Sequence, residues 1–149
     1  MDLLIKRLFV LILLLSPQAW AKNKSIECPS SFVTFWKEFQ KAVEKDRLKD
    51  LIFLSQFPIT LSSANGKETQ EWGPKAFQNN IYKIFSEKCD IMENKNQKEW
   101  FLKYKELPTK SSFLTCTKKW VQFCNFDFNL VKNQWKLTKI NTTQKALFK

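Results

Sequence analysis

The chain has 149 residues, of which 44% are hydrophobic and 15% aromatic, including 14 Phe and 6 Trp, and it carries a formal charge of +11. It has no His, which excludes Ser-His-Asp, Cys-His and His-metal mechanisms, and only 2 Gly, which argues against glycine-rich phosphate loops and dinucleotide fingerprints. That much aromatic area predicts a packed core and not a disordered chain.

The first residues set Lys6-Arg7 ahead of an apolar run from Leu8 to Leu15, then Ser16-Pro17 and the small-x-small triplet Ala19-Trp20-Ala21. This order predicts a secretory signal peptide over residues 1–21, cut after Ala21. Eight apolar residues are far short of the roughly 20 that cross a bilayer as a helix, so no transmembrane anchor is expected after cleavage. Cys28 lies too far beyond the cut to be a lipid-modified first residue. The mature chain, Lys22 to Lys149, is expected to be one exported domain, periplasmic or extracellular. Removing Lys6, Arg7 and Asp2 from the 25 basic and 14 acidic side chains leaves 23 and 13, a net +10. The lysines are scattered, which suits a solvated surface, although the excess also favours anionic partners such as envelope polymers. Nucleic acid is not expected, for want of a basic block or recognition motif.

Four cysteines follow the cut, Cys28, Cys89, Cys116 and Cys124, an even number that in an exported chain reads as two disulfides. Neither His nor a C-x-x-C pair is present, so no metal site and no cofactor is expected. The same absence weakens a catalytic thiol.

From Pro29-Ser30-Ser31, which offer capping chemistry, Phe32, Phe35, Trp36, Phe39 and Val43 recur at helical spacing and predict an amphipathic helix. Asp46 is placed to cap a second helix carrying Leu48, Leu51 and Ile52, which must stop before Pro58. An extended piece from Ile59 to Ser63, Asn65-Gly66 and a second piece to Glu71 predict a hairpin. Gly73-Pro74 then opens a third helix with Phe77, Ile81, Ile84 and Phe85 on its buried face, ending near Lys88.

Beyond it the chain reads as strands. Ile91-Met92 begins one, Trp100, Leu102 and Tyr104 alternate in another, and Leu107-Pro108-Thr109-Lys110 is a reversal. Phe113 to Leu130 reads as one extended run with a bend near Lys118-Lys119. Phe126, Phe128 and Leu130 alternate with Asn125, Asp127 and Asn129, and a turn at Lys132-Asn133-Gln134 leads into a last strand from Trp135 to Asn141.

The two helices meeting at Asp46, the exit Phe57-Pro58, the turn Asn65-Gly66, the third helix with Phe77, Ile81, Ile84 and Phe85, and the closing strands with Trp135-Lys136-Leu137 resemble the NTF2-like superfamily, also called cystatin-like α+β. The resemblance covers Ser30 to Asn141. It implies an α+β fold in which three N-terminal helices pack on a curved antiparallel sheet and enclose a conical cavity. Members of that superfamily use the cavity for isomerase or dehydratase chemistry, for ligand binding, or as a protein-docking surface. Many of them pair as homodimers through the open sheet face.

Tyr82, Trp100, Tyr104, Trp120 and Trp135 are the candidate cavity-lining residues, although for any single one of them core packing between sheet and helices is the favoured reading. An isomerase would need a carboxylate beside Tyr82 or Tyr104, yet Asp127 sits on the strand face opposite Phe126 and Phe128, and Asp90 lies at an element end. No catalytic residue is assigned. The expectation is a non-catalytic module that binds a partner protein or a small apolar ligand. An isomerase or lyase and an electrostatic binder of anionic envelope surfaces are its alternatives.

Three cysteine pairings are open. A reversal near Leu107-Pro108 would register Cys89 against Cys124 and leave Cys28 for Cys116. Cys116 with Cys124 would need a tight turn near Trp120, and on one unbroken strand the two would lie roughly 27 Å apart, at about 3.4 Å per residue. Asn23-Lys24-Ser25 and Asn141-Thr142-Thr143 match the N-glycosylation triplet. The tail, Thr143 to Lys149, reads most simply as a frayed end, with two apolar residues, Leu147 and Phe148, available to dock on a partner.

Overall fold

Helical spacing at one end of the chain and strand alternation at the other produce an α+β fold. In a computed structural model, residues 27–89, 95–104, 106–107 and 114–148 are described. The signal-peptide residues with Ala19 and Ala21, the site Asn23, the strand start Ile91-Met92, Asp90 and most of the reversal at Leu107-Pro108-Thr109-Lys110 fall outside them. Among the described residues, four helices, α1 (Ser30–Glu44), α2 (Leu48–Phe53), α3 (Pro74–Phe85) and α4 (Gln97–Lys103), accompany six strands. The strands are β1 (Ser55–Ser63), β2 (Thr69–Trp72), β3 (Leu114–Cys116), β4 (Trp120–Phe123), β5 (Phe126–Val131) and β6 (Gln134–Thr142). They form one sheet in the order β2-β1-β6-β5-β4-β3.

The sheet is mixed, not wholly antiparallel as expected. β3 to β6 form an antiparallel meander and β1 pairs antiparallel with β2, but β1 lies parallel to β6. The crossover from β2 through α3 and α4 back to the meander is long enough to permit that parallel pairing. The Asn65-Gly66 turn joins β1 to β2, with Gly66 at φ +69°, and the Asn65 carboxamide oxygen accepts from the Ser63 hydroxyl and the Lys67 amide.

α1 buries Phe32, Phe35, Trp36, Phe39, Ala42 and Val43 against the sheet. Phe128 of β5 is the centre of that contact, its ring centroid 5.6 Å from Phe32, 5.6 Å from Phe35 and 5.1 Å from Phe39. α1 has no side-chain cap at Ser30 or Ser31, and α2 none at Asp46. Asp46 instead has φ +50°, and its carboxylate pairs with Lys98 at 2.6 Å. α2 ends at Phe53 and β1 begins at Ser55, ahead of Pro58, whose bond to Phe57 is cis.

The stretch read as a strand around Trp100 is α4. Asn96 and Glu99 form a capping box, the Asn96 side chain accepting from the Glu99 amide and the Glu99 carboxylate from the Asn96 amide. Of the alternating set Trp100, Leu102 and Tyr104, Leu102 is exposed, while Trp100 and Tyr104, four apart, share one side of the helical turn with Phe101. α1 holds the end of α4, because Trp36 Nε1 donates to the Tyr104 carbonyl at 3.2 Å and Gln40 donates to the Phe101 and Tyr104 carbonyls. These are carbonyls that a helix end leaves without intrahelical donors.

The run Phe113 to Leu130 is not one bent strand but includes three. Thr117 makes the first reversal, accepting from the Trp120 amide at 2.9 Å through Oγ1 and donating its own amide to the Trp120 carbonyl at 2.8 Å. The second is the two-residue turn Cys124-Asn125, with Cys124 at φ +50°, so this cysteine belongs to a turn and not to an apolar strand face. Lys132 and Asn133, at φ +46° and +62°, turn β5 into β6, where both central residues of a primed turn need positive φ.

The disulfides are Cys28–Cys116 and Cys89–Cys124, with Cα separations of 5.2 and 5.3 Å. This is the favoured pairing, but strand registration does not create it: Cys89 follows α3 and Cys124 occupies the β4–β5 turn. The bonds close stretches of 88 and 35 residues. Each alone is worth roughly 4 kcal/mol in the chain-entropy model, and because the two loops overlap the contributions are not additive. Two such bonds in a small domain fit an oxidising compartment. No helix among the described residues is long and apolar enough to cross a membrane. The tail packs on its own chain: Leu147, in a 3-10 turn, is 7% exposed, and Phe148 rests against the core.

Phe128→Ala should cost about 3–5 kcal/mol, as an aromatic deletion that α1 cannot follow by collapsing. Urea unfolding of wild type and variant measures it, and a loss below about 1 kcal/mol would mean that α1 is not docked on this ring.

Candidate functional site

The strand alternation that turns Phe126 and Phe128 toward α1 turns Asp127 to the other face of the sheet. There Asp127 lies opposite Gln122 of β4 on one side and Lys139 of β6 on the other. A bulge beside Asp127 leaves Thr138 out of the pairing, and its hydroxyl accepts from the Asn129 carboxamide at 2.6 Å and donates to the Asp127 carbonyl at 3.3 Å. Next to this row is a hollow of about 360 Å³, lined by Gln122, Asn125, Asp127, Lys139 and Asn141, with the Cys89–Cys124 disulfide in its wall. A smaller hollow, of about 170 Å³, adjoins it across Ala64, Thr142 and Thr143 and extends toward Asn65 and Phe148.

Two carboxylates are buried here. Asp127 is 8% exposed, and its Oδ1 has no hydrogen-bond partner among the described residues. Burial holds its pKa above the ordinary aspartate value, while the Lys139 ammonium and a hydrogen bond from Trp120 oppose the rise. Glu87, just past α3, is 7% exposed and also raised by burial, against hydrogen bonds from Thr142 and Thr143. It accepts from the Thr142 hydroxyl and, at 3.2 Å, from the Thr143 amide, so it fastens the end of β6 to the end of α3.

The five aromatic candidates do not gather around this hollow. Tyr82 is exposed on α3 and donates to the Asp46 carbonyl at 3.4 Å. Trp100 is buried on α4 and stacks on Tyr104, their centroids 5.2 Å apart, with the Lys103 ammonium 4.9 Å from the Trp100 ring. Trp120 is half-buried on β4 and reaches Asp127. Trp135 is buried on β6, its ring 4.9 Å from Phe32 and its indole donating to the Ser31 hydroxyl at 3.0 Å. Only Trp100 with Tyr104 form a pair, and only Trp120 touches the hollow's carboxylate. The side of the sheet facing α1 and α4 is packed with rings of Trp36, Phe101, Phe123, Phe126 and Phe128.

Sequence reasoning overlooked Gln122, Asn125 and Asn141 as a group. Their signal was available as three amides on the same strand parity as Asp127, or at a turn, but only the register brings them together. No cluster of His, Cys, Asp or Glu suited to a metal ion occurs among the described residues. Comparison with protein-family models, with curated proteins and with solved structures found no match to this chain.

Glu87 ties pH to stability. Its folded pKa lies above its ordinary value of 4.5. As pH rises through and beyond that value, the unfolded chain releases the proton first, so stability falls until the folded pKa is passed. Glu87→Gln keeps an acceptor and lacks this loss. In urea unfolding from pH 4 to pH 7, the variant should gain on the wild type as pH rises; parallel curves would refute the assignment.

Proposed function

We propose that the protein is an exported, non-catalytic binding module of the NTF2-like kind, which holds its ligand on the outer face of its sheet. One observation carries this reading: the sheet face toward the helices is filled by rings in mutual contact, whereas the opposite face bears a hollow around a buried carboxylate, one oxygen of which has no partner among the described residues. The α+β class, with helices ahead of a closing antiparallel meander, is what supports the NTF2-like part of the reading. The two disulfides support an oxidising, exported setting.

The outer face favours a polar ligand or partner surface over a small apolar one, since carboxamides, hydroxyls and a carboxylate line it. The isomerase alternative draws less support. Glu87 is bonded by Thr142 and Thr143 and Asp127 by Trp120, so neither buried carboxylate is paired with a tyrosine. Native mass spectrometry of the mature protein recovered from its compartment tests the proposal. A bound small molecule, a heteromeric mass or a homodimer is expected, and in each case Gln122→Ala should weaken it. A bare monomer under all conditions would overturn the reading.

Electrostatic adhesion to anionic envelope surfaces is a second reading with its own observation. Lys37 and Lys41 of α1 and Lys45 just past its end recur every four residues and line a groove with Gln40, Glu44 and Leu102 of α4, three ammonium groups against one carboxylate. If this reading holds, binding to vesicles rich in anionic lipid should fall steeply between about 0.05 and 0.5 M salt, as the screening length shortens. Adsorption indifferent to salt would rule it out.

A further inference from the structure

The hollow on the outer sheet face has a specific hydrogen-bonding character. Gln122, Asn125 and Asn141 are half-buried around it, and among the described residues no side-chain hydrogen bond engages their carboxamides. Each carboxamide offers a donor and an acceptor side by side. Asp127, nine-tenths buried at the base, adds a carboxylate whose Oδ1 lacks a donor.

Charge narrows the choice of ligand. Lys139 faces Asp127 across the β5–β6 pairing, so the base of the hollow contains one negative and one positive group. A simple cation would meet the ammonium, and a simple anion would meet the carboxylate. An extended peptide recognised through its main chain would need an open sheet edge, but β4, β5 and β6 are paired on both sides. What remains is a neutral ligand whose groups both donate and accept, and hydroxyl groups on a compact ring do so. The volume of about 360 Å³ lies at the small end of the range of ligand pockets, roughly 300–1,000 Å³.

We infer that the hollow bounded by Gln122, Asn125, Asp127 and Asn141 is a site for a small neutral saccharide, its vicinal hydroxyls paired with the carboxamides. The inference rests on the proposal that the outer sheet face is the binding face. The adjoining hollow over Thr142 and Thr143 accommodates a second ring, so a disaccharide fits better than a single sugar.

The experiment is an NMR titration of the ¹⁵N-labelled mature protein, disulfides intact, with D-glucose, D-galactose, N-acetyl-D-glucosamine and maltose, and with putrescine as a cationic control. The side-chain NH₂ signals of Gln122, Asn125 and Asn141 should shift saturably with at least one sugar. Gln122→Ala should weaken that binding about fivefold to tenfold, the effect of one lost hydrogen-bonded pair. The wild-type shifts do not depend on how the variant folds. The inference is overturned if no sugar moves these signals, if sugar shifts map to another surface, or if putrescine binds here instead. If a protein partner or other ligand still appears by native mass spectrometry, only the saccharide assignment falls; if nothing binds in either experiment, the binding-face reading falls with it.

Discussion

The docking of α1 on β5 is the contact on which the other elements depend. Phe32, Phe35, Trp36 and Phe39 form one stripe of the helix, and Phe128 meets all four rings. Aromatic pairs contribute about 0.5–1.5 kcal/mol beyond the area they bury, and here several share one ring. From the same stripe, Trp36 and Gln40 reach across to the carbonyls that end α4. A seven-residue helix has little stability of its own, so α4 owes its place to Phe101 beneath it and to these side chains above. The helix layer is assembled through α1.

That packing decides what the outer face of the sheet can be. Strand geometry sends every second residue of β5 away from α1, and the register lines up Glu71, Thr60, Lys139, Asp127, Gln122 and Thr115 across the six strands. The next row holds Leu61, Ile140, Phe126, Phe123 and Leu114, with Gln70 at its β2 edge. One row is polar and its neighbour apolar, as two faces with different surroundings require. The parallel β1–β6 pairing carries the polar row through to the hairpin. Glu87 and the Cys89–Cys124 bond fix the end of α3 to the far side of the meander, where the hollow opens.

The first half of the chain was the more legible in sequence, for a physical reason. α1 and α3 have long apolar stripes at helical period, and Asn-Gly marks its hairpin by its own conformational preference, so local chemistry decides these elements. In the second half the signals conflict. Trp100, Leu102 and Tyr104 have strand period, but Asn96 and Glu99 cap a helix, and the cap with tertiary packing prevails. Thr117 turns the chain where no Gly or Pro announces it, by side-chain bonds that depend on the hairpin already being formed. The α+β class was therefore readable, whereas the mixed pairing and the number of strands were not. The site divides similarly. The outward facing of Asp127 followed from alternation, but the grouping of Gln122, Asn125 and Asn141 is a product of register. Aromatic residues drew attention as cavity candidates because they are large, and size is also what the core selects.

Asp127 gives the outer hollow its physical interest. Burying a carboxylate without full hydrogen bonding costs stability, and an apolar or amide side chain at the centre of β5 would avoid that cost. Lys139 and Trp120 offset part of it, and Oδ1 still has no partner among the described residues. Glu87 is different, because its two hydrogen bonds have an evident structural use in holding β6 to α3. A buried charge with a structural task needs no ligand to account for it, and Asp127 has no such task among the described residues, which is the observation behind the proposed binding face. The contrast between these two carboxylates, close in burial but unlike in satisfaction, is what directs attention to the sheet face and away from the aromatic interior.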